Sequence, residues 1–187
     1  IHANSNDFSY RINNDDTITI YRYNGTSSDV VVPAEIDGKK VYSIAAAFLD
    51  SNVGSVKIEE GIKVIDDHTF ADTITLYSVD IPSSVEVIGA DAFFGSTVDE
   101  INISSNSNLS VIKDSAFYNC DIGDIYIPGS VETIGAKAFS MNNNATKITD
   151  EKAAYQYALQ NKTLRTLSEV LASNNPSAKL FYIPYGY

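Results

Sequence analysis

The chain has 187 residues and a formal net charge of −11, with 24 acidic against 13 basic side chains. This excess of negative charge argues against nucleic acid and anionic membrane surfaces as partners, because both attract basic patches. Apolar residues make up 44% of the sequence, but no apolar run approaches the roughly 20 residues that cross a bilayer. Because the chain begins at Ile1 without Met, we expect a processed protein or a fragment of a longer one.

Two short segments of alternating apolar and polar residues come first in the chain. They span residues 8–12 and 17–23, and the turn-forming residues 13–16 separate them. Alternation with period two on both sides of a turn cluster predicts a β-hairpin. The repeats that follow would leave an open strand edge at their start. We therefore expect residues 1–29 to be an N-terminal tail and a capping hairpin.

One phrase then recurs five times. Its clearest copy runs Ile81-Pro-Ser-Ser-Val85-Glu-Val-Ile88-Gly-Ala-Asp-Ala92-Phe93, and residues 127–139 are a near twin. The closing phenylalanines fall at positions 48, 70, 93, 117 and 139, in steps of 22, 23, 24 and 22 residues. Self-similarity at such a period is typical of a solenoid, in which each unit buries its apolar side against its neighbours. We expect a β-rich solenoid of five to six coils.

Each copy also carries two β-branched residues at positions two apart. Residues two apart in a strand point to the same side, so these pairs predict one parallel strand per coil. The pairs are Val30/Val32, Val56/Ile58, Val79/Ile81, Ile101/Ile103 and Ile125/Ile127. Stacking the coils would also bring the closing phenylalanines together, and we expect Phe70, Phe93 and Phe117 to form one buried spine.

The repeat fades after Phe139. Residues 150–159 and 163–172 show apolar positions at helical spacing, and residues 179–187 form an aromatic-rich tail. The sequence therefore predicts three parts. Residues 1–29 are the tail and capping hairpin, residues 30–149 are the repeats, and residues 150–187 are a helical C-terminal cap and tail.

The motif Ile-Pro-x-x-Val-x-x-Ile-Gly-x-x-Ala-Phe, followed after three positions by Cys or a small residue, resembles the BspA-type leucine-rich repeat of bacterial surface and secreted proteins. The last position is Ser51, Thr73, Ser96, Cys120 and Asn142 in the five copies. The resemblance covers about residues 30–149. It implies a leucine-rich-repeat-like solenoid in a secreted or cell-surface protein, a recognition module for proteins or glycans on a host or neighbouring microbial surface. It also implies an adhesion-like role, often as part of a larger protein.

Catalytic chemistry finds little support in the sequence. His68 falls in the turn before Phe70, and Cys120 occupies the small-residue position of the repeat, where a buried packing thiol is expected. Asp80 and Glu100 on neighbouring strands could approach the spacing of glycosidase carboxyls, but a solenoid face offers no pocket for them. No zinc, calcium or phosphate-binding spacing is present. We therefore expect a non-enzyme without metal or cofactor.

The candidate binding surface is the outward side of the predicted strands. Residues between the inward-facing pairs must point outward, and they form a central row flanked by further acids. The proposed binding residues are Lys57, Asp80, Asn102 and Tyr126 in the row, with Glu100 and Asp124 beside it. Such a surface suits a basic or hydroxyl-rich partner on a monomeric chain that does not insert into a membrane. A structural spacer or stalk segment of a larger surface protein is the alternative.

Overall fold

The structure is a computed structural model that describes residues 5–122, 125 and 127–141. A short 3-10 helix at Ser5–Asp7 precedes the strands. In chain order the strands are β1 (Phe8–Ile12), β2 (Ile18–Tyr23), β3 (Asp29–Val32), β4 (Glu35–Ile36), β5 (Lys39–Ile44), β6 (Ser55–Ile58), β7 (Val64–Ile65), β8 (Leu76–Ile81), β9 (Val87–Ile88), β10 (Thr97–Ile103), β11 (Val111–Ile112), β12 (Asp121–Ile122) and β13 (Thr133–Ile134).

These strands form the two walls of a β-solenoid of about five turns. One wall, sheet 1, has the strand order β12-β10-β8-β6-β3, and all its pairings are parallel. The other wall, sheet 2, has the order β1-β2-β5-β7-β9-β11-β13, and β4 pairs with β5 beside it. Successive coils thus add one strand to each wall, at the period of the repeat. Within the described residues, no helix is long and apolar enough to span a membrane.

The expectation of one strand per coil is wrong, because each coil contributes two. The second strand is a two-residue β-branched pair such as Val87–Ile88, whose isoleucine is buried while its valine stays partly exposed. Its register joins Val64, Val87 and Val111 in one outward line. Two residues are too few to show an alternating pattern. The sequence therefore identifies the isoleucine as a buried position but does not identify the strand to which it belongs.

The predicted phenylalanine spine is confirmed. Phe48, Phe70, Phe93, Phe117 and Phe139 are all fully buried. Their ring centroids are spaced 5.2, 4.9, 4.9 and 5.1 Å from one ring to the next, with nearly parallel planes. The backbone reinforces the stack, since the N–H of Phe93 donates to the carbonyl of Ala116 at 2.7 Å, and the N–H of Phe70 to that of Ala92 at 2.6 Å.

The turns around each phenylalanine use left-handed backbone conformations that the sequence does not reveal. One such residue lies two positions before each Phe and another lies two positions after it. The residues before are Ala46, His68, Asp91, Ser115 and Lys137, and those after are Asp50, Asp72, Gly95, Asn119 and Met141, with φ between 51° and 67°. Only one of the ten is glycine, so the stacked coils hold side chains in a conformation that costs roughly 1–2 kcal/mol per residue.

The N-terminal hairpin extends sheet 2 at its first coil. Strands β1 and β2 pair antiparallel, and β2 pairs in parallel with β5. The rings of Phe8 and Tyr23 continue the aromatic stack, with Tyr23 lying 5.6 Å from Phe48. Lys39 forms an ion pair with Asp16 at 2.6 Å, which ties the hairpin turn to the insertion between β4 and β5. That the hairpin protects the end of the solenoid stays a prediction.

A tight turn joins β4 to β5. Asp37 and Gly38 both have positive φ, 52° and 77°, as a two-residue hairpin turn requires. The helical cap predicted for residues 150–187 lies outside the described residues. The residues in which a sixth coil was expected also lie outside the described part of the chain.

Candidate functional site

The central row of the candidate surface lies where period two places it. Lys57, Asp80 and Asn102 are exposed on β6, β8 and β10, and each lies between buried or partly buried β-branched residues. The register pairs Lys57 with Asp80 and Asp80 with Asn102. Neighbouring members are therefore about 4.8 Å apart along the solenoid, the spacing of paired strands. Asp124 and Tyr126 lie outside the described residues.

A second row runs beside the first, nearer the start of the strands. Its members are Asp29, Ser55, Ser78 and Glu100, and the register pairs each with the next. Glu100 is exposed, whereas the other three are partly buried. The row therefore presents two hydroxyls between two carboxylates on rigid, paired backbone.

The face carries more negative than positive charge. Asn102 donates from Nδ2 to Asp80 Oδ1 at 2.9 Å, which fixes the carboxylate of Asp80. Within the part of the chain that the structure describes, Lys57 forms no ion pair. Its ammonium group is the cation of the central row and is free to bind an oxygen of a partner.

Two shallow depressions flank Lys57 and Asp80. One, of about 430 Å³, lies toward the ends of the strands, and Glu59, Glu60 and Pro82 contribute to its wall. The other, of about 320 Å³, lies toward the starts of the strands. Its lining combines Ser55 and Ser78 with valines, including Val31. The surface is therefore indented on both sides of the central row, and side chains of a partner can enter it.

Sequence reasoning missed two residues at this surface, Asp29 and Tyr77. Asp29 Oδ1 accepts hydrogen bonds from Ser55 Oγ at 2.6 Å and from the Tyr77 hydroxyl at 2.8 Å. The hydrogen bond from Ser55 and then that from Tyr77 lower the pKa of Asp29, because they stabilise its charged form.

Alternation along β8 would point Tyr77 inward, yet Leu76 is buried and Tyr77 is 50% exposed. The Tyr77 ring packs against Gly54, and a Cβ added to Gly54 would lie 2.9 Å from Tyr77 Cε1. The signal in the sequence was the glycine one position before Ser55 in the preceding coil, which leaves room for a neighbouring ring. That signal is recognisable only once the register of the coils is known.

The two residues with catalytic potential lie apart from this surface. Cys120 is buried, its Sγ is 3.2 Å from Ser96 Oγ, and burial raises the pKa of its thiol to about 12. The prediction of a buried packing thiol is thus confirmed. His68 is exposed in a left-handed turn, with Nε2 3.5 Å from Asp91 Oδ2. Among the described residues, no three His, Cys, Asp or Glu side chains are grouped to hold a metal ion.

Known proteins similar to this chain share its architecture. The crystal structure of a leucine-rich repeat protein from T. pallidum superposes with a TM-score of 0.67 at 25% identity, over 79% of this chain and 72% of that one. A leucine-rich repeat protein from Eubacterium ventriosum ATCC 27560 gives a TM-score of 0.50 at 20% identity. The aligned region covers 76% of this chain and 35% of that protein.

A leucine-rich cell surface protein from Faecalibacterium prausnitzii A2-165 gives a TM-score of 0.45 at 20% identity, over 72% of this chain and half of that one (50%). No curated protein matches the chain significantly. The family described as BspA type leucine-rich repeat region matches residues 43–165 in six copies, which is most of the predicted repeat region and part of the segment after it. The chain belongs to the BspA-type leucine-rich repeat family.

Proposed function

We propose that this chain is a non-catalytic recognition module of a secreted or cell-surface protein, and that it binds an extracellular protein through the exposed face of sheet 1. The observation that carries the proposal is the row of Lys57, Asp80 and Asn102, which stands in register on three paired strands above a buried core. Solenoids use such repeated, rigid surfaces for binding. We include Glu100, Asp124 and Tyr126 in the surface.

The rigidity of the face supports this use. Side chains on paired strands are held by the sheet, so binding costs little further ordering of the backbone. The hydrogen bond between Asn102 and Asp80 removes one more degree of freedom, because it holds both side chains in one arrangement. A surface that is ordered before binding favours affinity at a modest contact area.

The chemistry of the face defines the partner. Carboxylates outnumber the single lysine of the central row, and hydroxyls and amides fill the spaces between them. A basic or hydroxyl-rich surface complements this arrangement, and salt should weaken the complex by screening the charges. The family supports an extracellular location, since the resemblance is to bacterial surface and secreted proteins. We include an adhesion-like role on a host or microbial surface in the proposal.

The test is a binding screen against purified extracellular matrix proteins and a glycan array. The triple variant Lys57→Ala/Asp80→Ala/Asn102→Ala should fold normally, since all three side chains are exposed. Truncating three polar contacts of about 1 kcal/mol each should raise the Kd for a protein partner at least tenfold. The matched control is Lys63→Ala/Glu86→Ala, which removes an exposed ion pair of 4.0 Å beside sheet 2 and should leave binding unchanged.

Three other outcomes would count against the proposal. If the triple variant binds the partner as tightly as the control variant, the binding site does not lie on sheet 1. Binding to glycans alone would replace the protein partner with a carbohydrate. Failure of the unmodified chain to bind anything in the screen would favour a structural spacer or stalk.

A further inference from the structure

Tyr77 is an exposed aromatic side chain that the structure fixes in place. Its ring lies against the backbone of Gly54, and its hydroxyl donates to Asp29 Oδ1 at 2.8 Å. The residue thereby spans from β8 across β6 to β3, yet it stays half exposed at 50%. A tyrosine held at both ends loses little conformational entropy when a partner contacts it, which is the property of aromatic anchor residues at interfaces.

Asp29 is held as firmly and keeps one oxygen available. Both of its side-chain hydrogen bonds, from Ser55 and Tyr77, fall on Oδ1. Oδ2 accepts no hydrogen bond from the residues that the structure describes. The same two donors lower the pKa of Asp29, so the carboxylate is ionised at neutral pH. A fixed, charged oxygen therefore stands beside a fixed aromatic ring.

The depression of about 320 Å³ begins next to this pair. Ser55, which donates to Asp29, also lines the depression. The other lining residues are Ser78, three valines, Lys57 and Asp80. Its wall thus combines apolar surface with two hydroxyls, one ammonium group and one carboxylate. That composition accommodates a flexible aliphatic stem, while a charged end group reaches the ring and the carboxylate.

The arrangement fits a guanidinium group better than other chemical groups. A planar cation stacks on a tyrosine ring and donates at the same time to a carboxylate oxygen. The net charge of −11 adds a general attraction for cations. Lys57 opposes that attraction, because it lines the same depression, but Asp80 lines it too and supplies a compensating negative charge. Lys57 is two residues beyond Ser55 on β6, or about 6.6 Å along the strand.

We propose that Asp29 and Tyr77 form a docking site for an arginine side chain of the protein partner, a specification that rests on the function proposed above. The guanidinium stacks on the Tyr77 ring and donates to Asp29 Oδ2, and its aliphatic stem lies in the depression lined by Ser55 and Ser78. The site recognises one side chain of the partner, whereas the row of Lys57, Asp80 and Asn102 contacts the surrounding surface.

The test uses N-acetyl-arginine amide as the probe and the chain labelled with carbon-13 in its tyrosine rings. The Tyr77 resonance is identified by its absence in the Tyr77→Phe variant. We expect this resonance to shift in a saturable manner with arginine, at millimolar Kd, and not to shift with the uncharged citrulline analogue. A shift of equal size with citrulline would show that charge is not recognised and would overturn the proposal. A shift with lactose but not with arginine would instead make this a sugar site.

Two variants separate the contacts. Asp29→Asn should raise the Kd for arginine about fivefold, the contribution of one exposed ion pair, and Tyr77→Leu should raise it by a similar factor. Asp50→Asn removes one charge at a turn beside the phenylalanine spine and should change the Kd less than twofold. If Asp29→Asn behaves like Asp50→Asn, the attraction comes only from overall charge, and the docking site does not exist.

The two proposals can fail independently. Suppose that arginine binding depends on Asp29 and Tyr77, but the triple variant still binds its protein partner. The docking site is then retained and the role of the central row is rejected. If the triple variant loses its partner and arginine causes no shift at Tyr77, the role of the central row is retained and the docking site is rejected. Amide spectra of each variant establish that loss of binding is not loss of folding.

Discussion

Replacement of Phe93 tests the packing of the solenoid. Phe93 is fully buried, and its ring stacks on Phe70 and Phe117 at 4.9 Å each. Phe93→Ala should lower the free energy of unfolding by about 3–5 kcal/mol, the usual cost of emptying an aromatic site. Phe93→Leu keeps most of the apolar volume but loses two ring pairs of about 0.5–1.5 kcal/mol each, so we expect a loss of about 1–3 kcal/mol.

The adjacent Phe94 provides the matched control. It is only partly buried, and its ring stacks on Tyr118 at 5.4 Å outside the spine. Phe94→Ala should therefore cost about 1 kcal/mol, one exposed ring pair with little burial. The assay is urea unfolding followed by circular dichroism, since the chain has no tryptophan (Trp 0). Equal costs for Phe93→Ala and Phe94→Ala would refute the stacked spine as the main source of stability.

Three further predictions concern single positions. Gly89→Ala should lower the free energy of unfolding by about 1–3 kcal/mol, because a Cβ there would lie 2.6 Å from Asp67 Oδ1 in the preceding coil. An unchanged Tm in thermal unfolding would show that the coils can separate freely. Cys120 should react slowly with a thiol reagent in native buffer and quickly in urea, and fast native labelling would contradict its burial. The carboxyl titration of Asp29 by NMR should have a midpoint below that of an ordinary aspartate, and Ser55→Ala should raise that midpoint. The stabilisation that Asp29 contributes is present above its pKa in the unfolded chain and is lost as pH falls through its pKa in the folded chain.

The sequence predicts those features of the fold that the repeat carries in every coil. The spacing of the phenylalanines predicts the spine, because residues at one-coil intervals must stack when coils stack. Period two in the longer strands predicts that Lys57, Asp80 and Asn102 face outward. Both inferences need only the repeat length and the direction of side chains. They do not need the path of the backbone between strands.

Features that depend on that path could not be predicted. The two-residue strands of sheet 2, such as β9, are too short to show a period, and pairing with neighbours defines them. The left-handed backbone at Ser115 is imposed by the turn, since serine has no preference for it. The contact between Tyr77 and Asp29 joins residues 48 positions apart. It exists only because two turns of the solenoid bring β8 back to two strand spacings from β3.

Site-specific photo-crosslinking tests the central claim, that the chain recognises its partner through sheet 1. A photoreactive phenylalanine analogue is placed at Asn102 on sheet 1 and, in a second protein, at Thr133 on sheet 2; both positions are exposed. Each protein is irradiated with the protein partner found in the binding screen. We predict a covalent complex from position 102 and none from position 133. Crosslinking from position 133 alone would contradict the claim and assign recognition to the other wall of the solenoid.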